Sequence, residues 1–371
     1  MMRILIVGGG IAGFAVAKAL ELKGYQPELV ERRPDQASGD SGLFLPGNAG
    51  RALDQLGLLK RVAEVAAFIP TQRILDHLGR PLSVTRTPDV WADCGPCLSL
   101  PRVTVHGILR QALQRTHLHF GVAVEGIQVL PKGSEVSFSD GSTSTYDIVI
   151  GADGIASTVR GLLFPTAKPQ YVGNVSWRFI TRNTSAIDSW TAMLGKGKTL
   201  LAIPVSAQDV YVYGDMALAE KDVPKMNAQT SLTVLFRDFT GPVVPLIANK
   251  PEDTYVHFGK IEHVVMDEWV KGRVVLIGDA AHASSPSMAQ NAGMAFEDAL
   301  VLADAIACAS HPDAALATYA ARRRNRIDWV QKQCVARDKM RTLPGPVRNV
   351  ILKVLGNKLY ARSYAPLAAP V

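Results

Sequence analysis

Read for its pattern of apolar and polar positions, the chain begins with four apolar residues in a row, Ile4 to Val7, the signature of a strand buried on both faces of a parallel sheet. Gly8, Gly10 and Gly13 follow in a G-x-G-x-x-G turn, and Ile11 to Leu22 then carries apolar residues at helical spacing. A second strand, Glu28 to Val30, completes a βαβ unit. Pro34 to Gly50 is Gly-rich and aperiodic, which predicts a loop. Arg51 to about Ala67 predicts a helix, and Arg73 to Val84 alternates around Leu78-Gly-Arg80 as a hairpin does. Pro101-Arg102 introduces a helix with Val105, Ile108, Leu109 and Leu113 on one face. Leu118 to Val129 precedes a hairpin from Glu135, whose Asp140-Gly141 turn leads back through Tyr146 to Ile150.

The pattern then changes. Trp177-Arg178, Leu200 to Pro204, Val210 to Tyr213 and Thr254 to Lys260 read as short strands with turns between them, so an all-β insertion with its own sheet is expected. Gly272 to His282 returns to the first style, with a strand from Val274 to Ile277, a loop carrying Pro286, and a helix from Asn291 to Ala309. Two basic amphipathic helices come last. One places Leu316, Tyr319, Ile327 and Val330 on one side and Arg322-Arg-Arg-Asn-Arg326 on what reads as its solvated face; the other spans Val347 to Tyr360.

Composition changes this picture little. At 371 residues the chain can form two or three lobes. No apolar run is long enough for a spanning helix, and the N-terminus enters the first strand without a signal sequence, so a cytoplasmic protein is expected. The formal charge of +7 is uneven: Arg322 to Arg362 holds twelve Lys or Arg and two Asp or Glu. Nucleic-acid binding is not expected from that segment, because its bases fall on helix faces, and peripheral membrane contact is the lesser alternative.

The candidate chemistry begins at the glycine turn. Gly8 permits the tight turn, Gly10 admits a pyrophosphate to the backbone, and Gly13 lets helix and strand pack closely. Glu31, about 20 residues on, can accept from the hydroxyls of an unphosphorylated adenosine ribose. These residues leave NAD and FAD both open. Arg102, near a helix start, suits an anionic partner or a bare surface equally. Asp153, between two glycines at a strand end, caps the helix expected from Ile155 or faces a close ligand. Asp279, at the carboxyl end of a strand, can accept from a polyol. Gly195-Lys-Gly-Lys-Thr199 fails as a phosphate loop, since Ala192 takes the first glycine position. Cys94-Gly-Pro-Cys97 has dithiol spacing, but the extended Leu98-Ser-Leu-Pro101 follows it where a redox motif needs a helix, so a turn with two incidental thiols is expected. Cys308 and Cys334 stand alone, and no metal site is expected.

Taken together, three spaced signatures resemble the single-component FAD-dependent monooxygenases of the para-hydroxybenzoate hydroxylase fold. They are Gly8-Gly10-Gly13 with Glu31-Arg32, Asp153-Gly154 with Ser157 and Arg160, and Gly278-Asp279-Ala-Ala-His282 with Pro286. Asn48 to Leu58, Arg102 with His106, Trp177-Arg178 and Glu297-Asp298-Ala299 are lesser matches. The resemblance implies an α/β fold: a Rossmann-type FAD-binding domain (1–72, 96–165 and 270–345), an inserted β-sheet substrate domain (73–95 and 166–269), and a C-terminal helix and tail (346–371). It implies non-covalent FAD, with Glu31 on the ribose, Arg102 near the phosphates and Asp279 on the ribityl chain. Asp153, Gly154 and Arg160 belong to a signature associated with FAD and transient NAD(P)H, and His282 positions its loop. The chain departs from the family at Ser287-Met-Ala-Gln-Asn-Ala-Gly293, where Ala289 and Asn291 replace the usual glycines by the flavin. Asn291 can turn left-handed.

The activity so implied is the consumption of NAD(P)H and O₂ through a flavin C4a-hydroperoxide, with one oxygen atom passing to an aromatic, indolic or enolised cyclic small molecule. Baeyer–Villiger insertion, epoxidation, or sequestration of a reactive metabolite without turnover are the alternatives. No catalytic side chain is identifiable, because the flavin carries the chemistry. Trp177, Tyr211 and Tyr213 are candidates for the substrate pocket.

Overall fold

The computed structural model describes residues 2–34 and 41–371. Its organising layer is a six-stranded sheet in the spatial order Val270–Lys271, Val274–Leu276, Ile148–Gly151, Ile4–Val7, Glu28–Glu31, His117–Phe120. All pairs are parallel except that of the edge strand Val270–Lys271. Every residue of Ile4–Val7 and of Ile148–Gly151 is buried, as continuous apolar runs require at the centre of a covered parallel sheet. Helices Ile11–Leu22 and Asn291–Cys308 pack together on this layer.

A seven-stranded sheet forms the second lobe, in the order His257–His263, Gln170–Arg182, Asp209–Ala217, Lys198–Pro204, Trp190–Leu194, Thr71–Asp76, Pro81–Arg86. Alternation gives it two different faces. On the outer face Trp177, Phe179, Leu200 and Val212 build a core closed by Leu232 and Leu246 from short helices and by Phe236 and Phe239 between them. On the inner face Ile203, Tyr211 and Tyr213 belong to the core shared with the nucleotide-binding lobe. The turn of the apparent phosphate loop, Gly195 to Gly197, is a hairpin connection in this sheet.

Several boundaries differ from expectation. Residues 35–40 of the predicted loop Pro34 to Gly50 lie outside the described residues; of the rest, Gly42–Leu45 is a strand and Gly47–Gln55 already helical. The strand is apolar and pairs with Leu98–Pro101, which a reading for glycines overlooked. The predicted helix from Arg51 to Ala67 breaks at Gly57, whose φ of +72° ends it; Leu59–Ala63 is a separate turn of helix. The helix expected from Ile155 starts at Thr158 instead, because Ser157 caps it. The last two helices are longer than predicted, Pro312–Thr342 and Gly345–Ala368. No described helix is long and apolar enough to cross a membrane.

Candidate flavin site

The glycine turn is built as a cradle. Gly8 has φ of +108°, and a Cβ on it would lie 2.6 Å from the Ala152 carbonyl oxygen. A Cβ on Gly13 would lie 1.9 Å from the Gly8 oxygen, so helix and strand meet only through glycine. A Cβ on Gly10 would meet nothing within 4 Å, and no side chain caps the helix that starts there. Free N–H groups and the positive end of the helix dipole therefore face open space, which fits the pyrophosphate of a dinucleotide. Glu31 accepts from the Gly9 N–H at 2.8 Å and the Arg33 N–H at 2.9 Å, which holds its carboxylate beside the turn. His106 packs its ring 4.8 Å from that of Phe14 and brings Nε2 within 2.7 Å of the Gly9 oxygen. Arg102 and Arg32 are exposed.

At the neighbouring strand end, Asp153 accepts from the Ser157 hydroxyl and from the N–H groups of Thr158 and Val159. Burial raises its carboxyl and these hydrogen bonds oppose the rise. Gly154, at φ +78°, leaves the turn open. Arg160 departs from the cofactor contact expected of it. It is buried, and it donates to the carbonyls of Ala167, Ala280 and Ile155. With its guanidinium on the backbone, it clasps the loop that carries Asp279 rather than meeting a ligand.

Asp279 itself is half-buried. Burial raises its carboxyl, opposed by the charges of His282, Arg102 and Arg178. Beneath it lies a network that the sequence reading largely missed. Asp298 accepts from the Gly278 N–H at 2.9 Å, sits 2.6 Å from His282 Nε2, and accepts from Arg323 Nε at 2.8 Å. Glu297 takes Arg323, Arg326 and the Asn48 amide, each at 2.8–3.0 Å. Asn48 and Gln290 exchange reciprocal amide bonds at 2.9 and 3.0 Å. Burial alone would raise the Asp298 carboxyl, but the charges of His282 and Arg323 bring it well below the usual range.

The basic run is thus no solvated face. Arg323 is fully buried, Arg326 holds Glu297, and Arg324 lies 3.7 Å from the Trp269 ring centroid. Of the run, Arg322 pairs with Asp304 at the surface. The signal was available in the adjacent acids Glu297-Asp298, which need buried cations.

The loop past Pro286 also differs. Ala289, rather than Asn291, is left-handed, at φ 50° and ψ 37°. Asn291 opens the following helix and donates its amide to the Ser284 carbonyl.

Among the pocket candidates, Trp177 is misplaced. It is fully buried in the outer core, its indole N–H donating to the Asn227 carbonyl, because position 177 points away from the flavin lobe. Tyr211 and Tyr213 lie on the inner face. A Cβ on Gly42 would overlap the Tyr211 ring. The Tyr213 hydroxyl donates to Asp215 at 2.7 Å, and Asp215 is paired with Arg341.

The two thiols of Cys94-Gly-Pro-Cys97 serve packing. A Cβ on Gly95 would stand 2.6 Å from the Gly47 oxygen, so the turn nests on the helix Gly47–Gln55. A strand follows, burial pushes the Cys97 thiol up to about 12, and it raises Cys94 as well. Among the described residues no cluster could hold a metal ion.

Comparison with known proteins agrees with this geometry. The family described as FAD binding domain matches residues 1–333. The chain belongs to that family, and it is a flavin-dependent monooxygenase of the single-component, para-hydroxybenzoate hydroxylase-like group with FAD as its cofactor. It is 32% identical over 334 residues to an aurachin C monooxygenase/isomerase of Stigmatella aurantiaca, covering 88% of this chain and 86% of that one. It is 29% identical to a 2-heptyl-3-hydroxy-4(1H)-quinolone synthase of Pseudomonas aeruginosa, covering 96% and 95%. The fold matches Klebsiella pneumoniae HpxO complexed with FAD and uric acid, with TM-score 0.86 and 23% identity over 100% of this chain and 97% of that one.

Proposed function

We propose that the protein hydroxylates an enolisable N-heteroaromatic ring of the 4-quinolone kind, with NAD(P)H as electron source and O₂ as oxygen source. The observation that carries this reading is the near-complete coverage of a relative whose name is 2-heptyl-3-hydroxy-4(1H)-quinolone synthase. The inner face of the sheet supports it, since Ile180, Tyr211 and Ile203 form an apolar row across three strands on which a flat ring and an alkyl chain could lie.

Accepting hydride and activating O₂ is the chemistry that bound FAD supplies. The chain's own residues bind and orient. Gly8, Gly10, Gly13 and the helix start take the pyrophosphate, Glu31 accepts from the adenosine ribose, Arg32 and Arg102 add positive charge near the phosphates, and Asp279 accepts from the ribityl hydroxyls. Asp153, Gly154 and Arg160 shape the adjoining turn. Pro286, Ala289 and Asn291 form the backbone beside the flavin ring. The inner sheet face covers the reacting region and excludes water from it.

The test is a panel of 2-alkyl-4-quinolones, phenols and indoles added to the FAD-loaded protein under anaerobic conditions with NADH or NADPH. Accelerated flavin reduction by the quinolones, followed by ¹⁸O incorporation from ¹⁸O₂ at the ring, is the expected result. Stimulation confined to phenols or indoles would overturn the substrate class.

A further inference from the structure

The inner face of the inserted sheet holds three buried polar atoms with no partner among the described residues: Thr199 Oγ1, opposite Asp215, and the pair Arg178 Nε and Ser176 Oγ. Both residues of the pair lie on the strand Gln170–Arg182, two positions apart, so they share a face, and Trp177 between them is buried on the other. Strand register places Arg178 between Tyr213 on one side and His257 on the other. Its guanidinium lies 5.6 Å from the Tyr213 ring centroid. That ring is held in turn, because the Tyr213 hydroxyl is bonded to Asp215 and Asp215 to Arg341. The result is a cation propped in place by a clamped aromatic ring, with no ion pair or hydrogen bond of its own among the described residues.

Such an arrangement is costly unless something completes it, since a buried donor without an acceptor forfeits its hydration. Elsewhere in the molecule buried arginines are satisfied: Arg323 by two carboxylates, Arg160 by three carbonyls, Arg348 by the carbonyls of Leu194 and Gly195. Arg178, half-buried but with its Nε fully enclosed, has no such partner where the sheet faces the cofactor lobe. Its charge reaches Asp279 in the flavin loop, where it opposes the effect of burial. It also reaches His257, whose imidazole is pushed down first by burial and then by Arg178 and Arg102. The cation therefore stands on the face of the sheet that is turned toward the flavin-loop lobe.

We propose that Arg178, assisted by Ser176, is the specificity residue that receives the ring oxygen of the substrate, a phenolate- or enolate-type oxyanion on a flat aromatic ring. A guanidinium suits that role because its planar fork meets an oxyanion through charge-assisted hydrogen bonds. With the oxygen held there, the apolar remainder of the ring falls along Ile180, Tyr211 and Ile203. The inference rests on the ring-hydroxylase reading, and its test separates the two.

The FAD-loaded protein and its Arg178→Met and Arg178→Lys variants are compared in two measurements. The first needs no substrate: removal of the buried, unpartnered Nε of Arg178 in R178M should raise Tm by roughly 1–4 °C. A lower Tm would mean that the guanidinium is already satisfied by the protein, and would overturn the proposal. The second is a titration of 2-heptyl-4-quinolone against 2-heptylquinoline, which lacks the ring oxygen, read by perturbation of the flavin spectrum. Wild type should favour the oxygenated ring by about ten- to hundredfold, R178M should lose that preference, and R178K should keep part of it. An undiminished preference in R178M would overturn the proposal. If wild type binds neither compound, the quinolone reading fails, and 2-naphthol against naphthalene puts the same question to Arg178: a preference abolished by R178M supports the oxyanion receptor, and one left intact overturns it.

Discussion

Two buried polar regions of this molecule are arranged in opposite ways. Under the flavin loop, Asp298, Glu297, Arg323, Arg326, His282, Asn48 and Gln290 satisfy one another. On the inner face of the inserted sheet, Arg178 and Ser176 hold buried atoms that nothing among the described residues satisfies. A closed network rigidifies backbone, here the Gly278 N–H and the start of the helix Asn291–Cys308, and so suits the part of the site that never changes. An open set is a place for a partner that comes and goes. On the proposals above, the contrast separates residues that hold the cofactor loop from residues that select the substrate, although both sets place polar atoms in the interior.

The closed network should break most severely. Arg323→Ala strands two buried carboxylates and should cost about 3–5 kcal/mol, measured by chemical denaturation of the FAD-loaded protein. Its pH dependence has a definite sign. Because the folded Asp298 carboxyl is depressed, its contribution is present above the unfolded value near ~4 and is lost as pH falls through the lower folded value. Asp298→Asn should flatten that acid limb, and an unchanged limb would remove Asp298 from the network's energetics. At the rim of the network, Asp279→Ala should leave the fold intact and weaken FAD by about 1–3 kcal/mol, tenfold to a hundredfold, in a flavin fluorescence titration. Unaltered affinity would detach Asp279 from the cofactor.

Smaller effects sharpen the boundary. Ala289 is left-handed, which costs an L-residue about 1–2 kcal/mol, so Ala289→Gly should raise stability by roughly 0.5–1 kcal/mol after glycine's own entropy is counted. Thermal denaturation decides, and a loss would show that the methyl group packs usefully. Replacing Cys94 and Cys97 together by Ser should leave NAD(P)H consumption and ¹⁸O₂ incorporation within a fewfold of wild type, because burial raises both thiols and so disfavours the thiolates that exchange requires. Lost turnover with FAD still bound would point to a dithiol mechanism.

How far the sequence carried this picture follows from what each signal depends on. The glycine turn, the strand Ile4–Val7 and the Asp279 loop were legible because backbone geometry imposes residue types at short spacing. Tyr211 and Tyr213 were placed on one face by alternation alone. Trp177 went wrong for the complementary reason: alternation tells which residues share a face, not which face meets the cofactor. Arg323 and Arg326 looked solvated because their acids lie some 25 to 29 positions earlier, on another helix. Arg160 matched a motif, but its three carbonyl partners come from backbone and leave no trace in residue identity.

The last helix brings a consequence for how the protein is made. Arg51 donates to the Ala368 and Ala369 carbonyls at 2.5 and 2.6 Å, across more than 300 residues of chain, and Asn48 of the same short helix belongs to the network under the flavin loop. Further along, Asn357 accepts from Ser83 and Thr85, and the Trp91 indole donates to Tyr360. At roughly 5–20 residues per second, the segment around Arg51 emerges from the ribosome on the order of 15–60 s before the carbonyls that complete its hydrogen bonds. Through that interval the early helix and hairpin wait with polar groups and apolar surface uncovered. Until residues 357–369 are made, a nascent chain of this protein lacks these contacts, and tight retention of FAD should follow them.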